Sequence, residues 1–461
     1  MPSPLSQEKA AFWLVAFLVP LLLFLTTVET SIATTSLVAI SQDLGNFDTV
    51  SWVLTGYTLG YGVGGGSCFA LATIVAVDLV PPEKFGPVVA RIGIAIVLAM
   101  VSGPIIGGLI SDNTTWRWIF LFNVPLGILC FVICLVGIPN GFPYHAASVK
   151  HAYTKTLNRI DFFGFFLLMA ATVLFAAGFQ EADGRFAWDS AYVIALLVLS
   201  LLLWIALVLW ERRVTRAGGD REPVLPWRFF TDRAVVGIML CFVLVGAPMG
   251  VTTFQLPQRF QLVNGLDSFN AGIRLIPYGA AFPVGSSIGS QVAARFKIPA
   301  VCIVFFGSVL QTIGYALLGT LDASSHVPPA IYGYEVLCGL GCGATYQALY
   351  IMVPFAVETR DKAVGMGAAN QFRWMGTAFG IAIATSVFNG YTVSRLESIG
   401  IPGLAEMTTN AQNTLPQALR DQMREILSSG YSRQMLVLCG FSAAEIPVGL
   451  LIWKRPQILI P

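Results

Sequence analysis

The chain has 461 residues, of which 56% are hydrophobic and 11% charged, and its net charge is +2. Soluble domains carry roughly 25% charged residues, so a water-soluble fold would need to hide more apolar surface than this length can bury. The near-neutral balance leaves no electrostatic footprint for nucleic acid, and an all-helical, multi-pass membrane protein is the class that remains.

Crossing about 30 Å of hydrocarbon at 1.5 Å per residue takes roughly 20 apolar residues. Twelve runs meet that ruler, near 12–40, 50–79, 87–110, 117–138, 162–179, 190–210, 234–255, 268–292, 298–320, 329–355, 363–389 and 431–453. None alternates as the strands of a membrane barrel do. The first run continues from Phe12 without a small-residue cleavage pattern, so it reads as a retained span. With the N-terminus in the cytoplasm, eighteen Lys and Arg fall inside and seven outside, while Arg274 and Arg373 lie within spans. That asymmetry predicts both termini on the cytoplasmic face. Residues 139–160 and 211–233 read as basic cytoplasmic loops, and 390–430 as an outer loop with room for a short amphipathic helix. None of them is large enough for a catalytic domain.

Enzyme signals are lacking. The eight cysteines sit in apolar stretches, with no metal-ligand spacing around them, and the three histidines form no cluster. Gly60-Tyr61-Gly62-Val63-Gly64-Gly65 matches a dinucleotide fingerprint in letters only. It lies in an uncharged apolar run rather than after a strand, and helix packing through small residues accounts for it. Paired acids, an HExxH motif, a Ser-centred Gly motif on a span and an ATP-binding loop are all absent. No cofactor or metal is expected.

The third run carries Gly103-Pro104-Ile105-Ile106-Gly107-Gly108. Its glycines let helix backbones approach, and Pro104 removes one helical hydrogen bond. This run resembles the antiporter motif of exporters of the major facilitator superfamily, with Ala90 and Ala99 where that motif usually has glycine. Thr114-Thr115-Trp116-Arg117-Trp118-Ile119-Phe120, with Asn123-Val124-Pro125-Leu126-Gly127, is similar to the entry into span six of drug:proton antiporters. Val28-Glu29-Thr30-Ser31-Ile32 resembles their first-span motif, with Glu29 where Asp is usual. Leu256-Pro257-Gln258-Arg259-Phe260-Gln261 and Gln371-Phe372-Arg373 resemble their later half. The resemblance covers nearly the whole chain and points to the fourteen-span branch common in fungi.

The phasing departs from that branch. Ser51-Trp52-Val53-Leu54-Thr55-Gly56-Tyr57 looks like the start of span two, yet Gly62-Val63-Gly64-Gly65-Gly66 looks like the middle of span four. The resemblance therefore implies that part of span two, span three and part of span four are missing at about Tyr61. The fused helix over 50–79 would be ~45 Å long. Three regions follow: an incomplete N-terminal helical bundle over 1–138, two extra central spans with basic loops over 139–233, and a six-helix C-terminal bundle over 234–461.

Ionisable groups within spans are costly and usually functional. Glu29 lies deep enough in its run to carry a proton, the alternative being a carboxylate held by Thr26, Thr30 or a neighbouring helix. Arg373 is similarly deep, placed either to bind an anionic part of a substrate or to pair with a Glu. Arg274, Glu335, Glu445, Gln255 and Gln371 complete the candidates for a polar substrate cavity. What the resemblance implies is proton-coupled efflux of a small amphipathic molecule such as a drug, toxin or secondary metabolite. Substrate, protons and membrane lipid are the expected partners, with no nucleic acid, and the chain is expected to act as a monomer in the plasma membrane or, alternatively, the vacuolar membrane. The rival readings are a non-transporting or impaired splice or gene-model variant, or a membrane sensor.

Overall fold

A computed structural model of the chain describes residues 4–44, 52–53, 56–57, 60–61, 68, 82–137, 159–182, 186–217, 221–321, 326–358, 361–399, 416–454 and 457. The fused-helix reading of 50–79, the fingerprint-like glycines at 62–65 and most of the loop at 139–160 lie outside them.

Every named element is helical. In chain order they are α1 (Pro4–Ile32), a 3-10 turn (Ala33–Thr35), α2 (Leu37–Leu44), α3 (Pro82–Asn113), α4 (Arg117–Leu121), α5 (Asn123–Gly137), α6 (Phe162–Glu181) and α7 (Ala191–Ala217). Then follow α8 (Trp227–Thr231), α9 (Arg233–Leu262), α10 (Ser268–Arg274), α11 (Ile276–Phe296), α12 (Ala300–Leu318), α13 (Ala330–Ala356), α14 (Lys362–Ser398) and α15 (Gln417–Gly449). Eight spans among the described residues are long and apolar enough to cross a membrane by length and composition, with Phe17–Ile32 a shorter apolar stretch.

Two runs that read as continuous are broken. The run at 12–40 ends α1 at Ile32 and tightens into the 3-10 turn, and the run at 268–292 pauses at Leu275, just before Pro277 at the start of α11. Proline tolerates the first helical turn because its missing N–H has no intrahelical partner there. The outer loop, by contrast, is shorter than the sequence implies. α14 runs on to Ser398 and α15 begins at Gln417, so long helices occupy much of 390–430. Their ends lock together: Phe388 packs on Tyr431 with ring centroids 4.8 Å apart, and Tyr391 is faced by both Arg395 and Arg433.

The C-terminal helices share one interior. Its small residues let backbones meet: a Cβ on Gly376 would lie 2.7 Å from Val243 Cα, and one on Gly285 would lie 2.7 Å from Leu340 Cα. The central helices lean on this half, through Phe175 on Phe379 at 4.2 Å and Ser386 Oγ donating to the Ala182 carbonyl at 3.3 Å. At their base Asp161 caps α6 through Gly164 N–H at 3.0 Å and accepts from the Trp210 indole at 2.9 Å. Arg228 and Asp361 form a bidentate ion pair that ties α8 to the start of α14. At the end of α2, Asp43 accepts from Trp116 at 2.8 Å and Arg117 at 3.0 Å, which holds its carboxyl below the usual carboxylate range.

Candidate functional site

The Gly-Pro run of α3 lies where the two halves touch. On its N-terminal-half side, a Cβ on Gly103 would lie 2.6 Å from Ser31 Cβ, and one on Gly107 would lie 2.7 Å from Thr35 Oγ1. On the other side, a Cβ on Gly108 would lie 2.6 Å from Phe269 Cα in α10. Pro104 cannot donate to the carbonyl four residues back, that of Met100. Gly279 of α11 approaches this carbonyl so closely that its Cβ would lie 3.3 Å away. Hydrogen bonds seal the junction: Ser31 Oγ to Ala99 O at 3.1 Å, Thr35 Oγ1 to Pro104 O at 3.3 Å, and Phe269 N–H to Asp112 Oδ2 at 3.1 Å. Gly103, Pro104, Gly107 and Gly108 thus form a three-way backbone contact rather than a ligand pocket.

Deeper along the same boundary, charged groups from the two halves face each other across aromatic rings. Glu29 is half-buried on α1, within electrostatic reach of Tyr57 and Tyr61. The Tyr61 hydroxyl donates to the Thr26 carbonyl, and its ring meets Trp374 edge-on at 4.5 Å. Next along α14, Arg373 is 7% exposed. Its guanidinium lies 4.2 Å from the Trp374 ring and 5.8 Å from that of Tyr346 on α13. Tyr57 extends the aromatic wall to Phe120, 6.0 Å between rings. Arg373 hydrogen-bonds Asn370 Oδ1 at 3.1 Å and approaches Met249 Sδ at 3.9 Å, and it makes no ion pair among the described residues.

The remaining candidates lie elsewhere. Gln255 is buried on α9 and donates to Thr385 Oγ1 at 3.0 Å. Gln371 is half-buried beside the Arg373 turn. Arg274 ends α10 and hydrogen-bonds the Tyr332 hydroxyl. Glu335 is fully buried, facing the backbone N–H of Tyr278 in the first turn of α11. Glu445, also fully buried, accepts from Ser308 Oγ at 2.6 Å and Gln311 Nε2 at 2.5 Å on α12. From Gln311 the chain of contacts continues to Cys342 Sγ at 2.9 Å, so Glu445 is the end of a network inside the C-terminal half. Sequence reasoning missed the tyrosines and Trp374, because aromatic residues in an apolar run carry no charge to mark their facing. Arg259, in the Leu256–Gln261 motif, is 2% exposed on α9.

The comparisons give this geometry a family. Residues 61–181 match the Major Facilitator Superfamily profile. The MFS-type transporter FPY5 of Fusarium mangiferae is 30% identical, over 94% of this chain and 82% of that protein. The chain belongs to the major facilitator superfamily. As a member of that superfamily it is a multi-pass membrane transporter acting on a small-molecule substrate. The efflux pump dotC of Dothistroma septosporum is 28% identical over 85% of this chain, which spans 66% of that relative's length. A solved bacterial homolog of the human lysosomal transporter Spinster, inward-facing and occupied, aligns over 99% of both chains with TM-score 0.55 at 13% identity. That likeness carries the fold, and it agrees with the all-α major facilitator architecture expected of the sequence.

Proposed function

We propose that this transporter exports small amphipathic organic molecules in exchange for protons. The interface between Glu29 on one half and Arg373 on the other serves as the transport path, and the observation that carries this reading is their placement on opposite halves, separated by Tyr61 and Trp374. Transporters of this architecture work by rocking one half against the other around a midplane site. Groups at that boundary are the ones whose surroundings change in each cycle. Glu29 carries the proton, and Arg373 with the aromatic wall holds the substrate. The names of the fungal relatives support efflux as the direction, and the positive-inside charge pattern supports two cytoplasmic termini. Substitution Glu29→Gln should abolish efflux driven by a pH gradient while membrane abundance stays unchanged. Undiminished pH-driven efflux would remove Glu29 from the mechanism.

A second reading, in which this chain is an impaired form of such a transporter, has an observation of its own. The alignment with FPY5 runs over 496 positions, more than the 461 residues of the chain, so the relative has residues inside the matched region that this chain lacks. The superfamily match also begins at residue 61, where the motif phasing breaks. Rebuilding a segment of roughly 70 residues at Tyr61, on the order of two spans with their loop, should raise efflux several-fold at matched membrane levels. Equal efflux from both forms would show that the shortened N-terminal half suffices.

A further inference from the structure

The boundary around Arg373 has more hydrogen-bond donors than it can satisfy. Arg373 Nε, the Trp374 indole nitrogen and the Tyr57 hydroxyl are all buried and have no partner among the described residues. They lie on one continuous surface. The rings of Tyr57 and Tyr61 are 5.9 Å apart, Tyr61 meets Trp374 at 4.5 Å, and the Arg373 guanidinium sits 4.2 Å from Trp374. The Tyr61 hydroxyl is already committed to the Thr26 carbonyl. A buried charge with only neutral partners is costly, and each unfilled donor adds to that cost. Glu29 does not relieve it, since no ion pair joins it to Arg373 and Tyr61 lies within electrostatic reach of both.

Unfilled donors beside an unneutralised cation define the missing group as an acceptor-rich anion. Because aromatic rings flank the donors, that anion belongs to a flat molecule. We propose that this boundary receives the carboxylate of an aromatic organic acid, with Arg373 Nε and Trp374 Nε1 as donors and the Tyr61 and Tyr346 rings against its apolar body. A cationic molecule would meet the Arg373 charge head-on. A neutral amide would offer one acceptor and no charge, leaving the guanidinium uncompensated. This assignment rests on the boundary being the transport path, but a binding measurement tests it without protons or transport.

The experiment uses the purified full chain in detergent at neutral pH, with 2-naphthoate and its neutral isostere 2-naphthamide as probes and intrinsic tryptophan fluorescence as the readout. The acid should bind about ten-fold or more tightly than the amide, the scale of a charge-assisted hydrogen bond. Arg373→Gln should bring the two within about two-fold of each other, and Arg373→Lys should keep part of the preference because it keeps the charge but not the planar fork. Equal affinity for acid and amide, or an acid preference that survives Arg373→Gln, overturns the proposal. So does an absence of acid binding at millimolar concentration. If Arg373→Gln elutes as an aggregate, Trp374→Phe decides, since it keeps a ring and removes the donor. It should weaken the acid several-fold and leave the amide unchanged, and an unweakened acid overturns the assignment. Failure of proton-coupled export would leave the acid preference intact, so the two readings fail separately.

Discussion

Of the apolar window in α9, 72% is buried, and in α13 67%; the corresponding share is 28% in α3 and 11% across α4 and α5. Hydropathy does not explain the contrast, for the α4–α5 span has a mean hydropathy of 2.5 and α9 of 2.4. Between α9 and α5, what differs is where the small residues meet a neighbour. On α9, a Cβ at Gly250 would lie 2.8 Å from Thr377 Oγ1, and Gly246 abuts the Arg373 backbone, whereas Gly127 on α5 has nothing within 4 Å. Apolar composition sends a helix into lipid, but only close backbone approach gives it a partner there. The α5 helix accordingly leaves Ile128, Phe131, Val132 and Leu135 exposed.

The sharpest test of that contrast substitutes one glycine in each region. Gly376→Leu is expected to cost ~3 kcal/mol or more, because backbone on both helices would have to move. Gly127→Leu should stay within about 0.5 kcal/mol, as for other open positions. Thermal unfolding in detergent measures both, and equal shifts would dissolve the distinction between a packed half and an open one.

A smaller effect separates the polar contacts. Glu445→Ala strands the Gln311 amide inside the C-terminal half, while Ser308 keeps the Val304 carbonyl as acceptor, at a cost of about 1–3 kcal/mol. Ser31→Ala removes a contact to the Ala99 carbonyl at the α1–α3 junction and should cost about 1 kcal/mol or less. Unfolding temperatures in the reverse order would mean that the N-terminal half depends on its polar contacts more than the C-terminal half does.

The depth of a charge was legible in the sequence, while its facing was not. Glu445 and Arg373 both stand out as ionisable residues in apolar runs, yet one ends in a network between α12 and α15 and the other faces aromatic rings at the boundary. A helix that is apolar all round has no polar stripe to show which side meets protein. The same blindness hid Tyr57, Tyr61 and Trp374. Eight of the twelve expected spans and the Gly-Pro junction were readable among the described residues, because length against bilayer thickness and glycine spacing are local properties. The breaks at Ala33–Thr35 and Leu275 were not, since an apolar run conceals a change of helix direction.

The smallest predicted effect lies at the membrane edge of the packed half. Burial opposes ionisation of Asp232, but the hydrogen bond from Lys454 at 2.6 Å and those from the start of α9 prevail and lower its carboxyl below the usual value. A lowered folded-state value means the contact stabilises fully above the unfolded value of 3.8 and is lost as pH falls through the folded one. This pair is partly exposed, so solvent screening limits it to roughly 0.5 kcal/mol. Asp232→Asn should therefore lower the unfolding temperature slightly at pH 7 and not at all near pH 2. An equal decrement at both pH values would show that the carboxylate charge contributes nothing.

The 37 residues of α14 and 33 of α15 correspond to about 50 Å of helix or more at 1.5 Å per residue. A bilayer's hydrocarbon takes up about 30 Å of that length. The surplus length is braced where Phe388 meets Tyr431 and where Arg395 and Arg433 flank Tyr391, which joins the two helix ends into one post. A post fixed to a single half is a natural epitope. An antibody fragment raised against it would clamp no moving boundary, and it would add an asymmetric mass by which particles of so small a membrane protein could be aligned in electron cryomicroscopy.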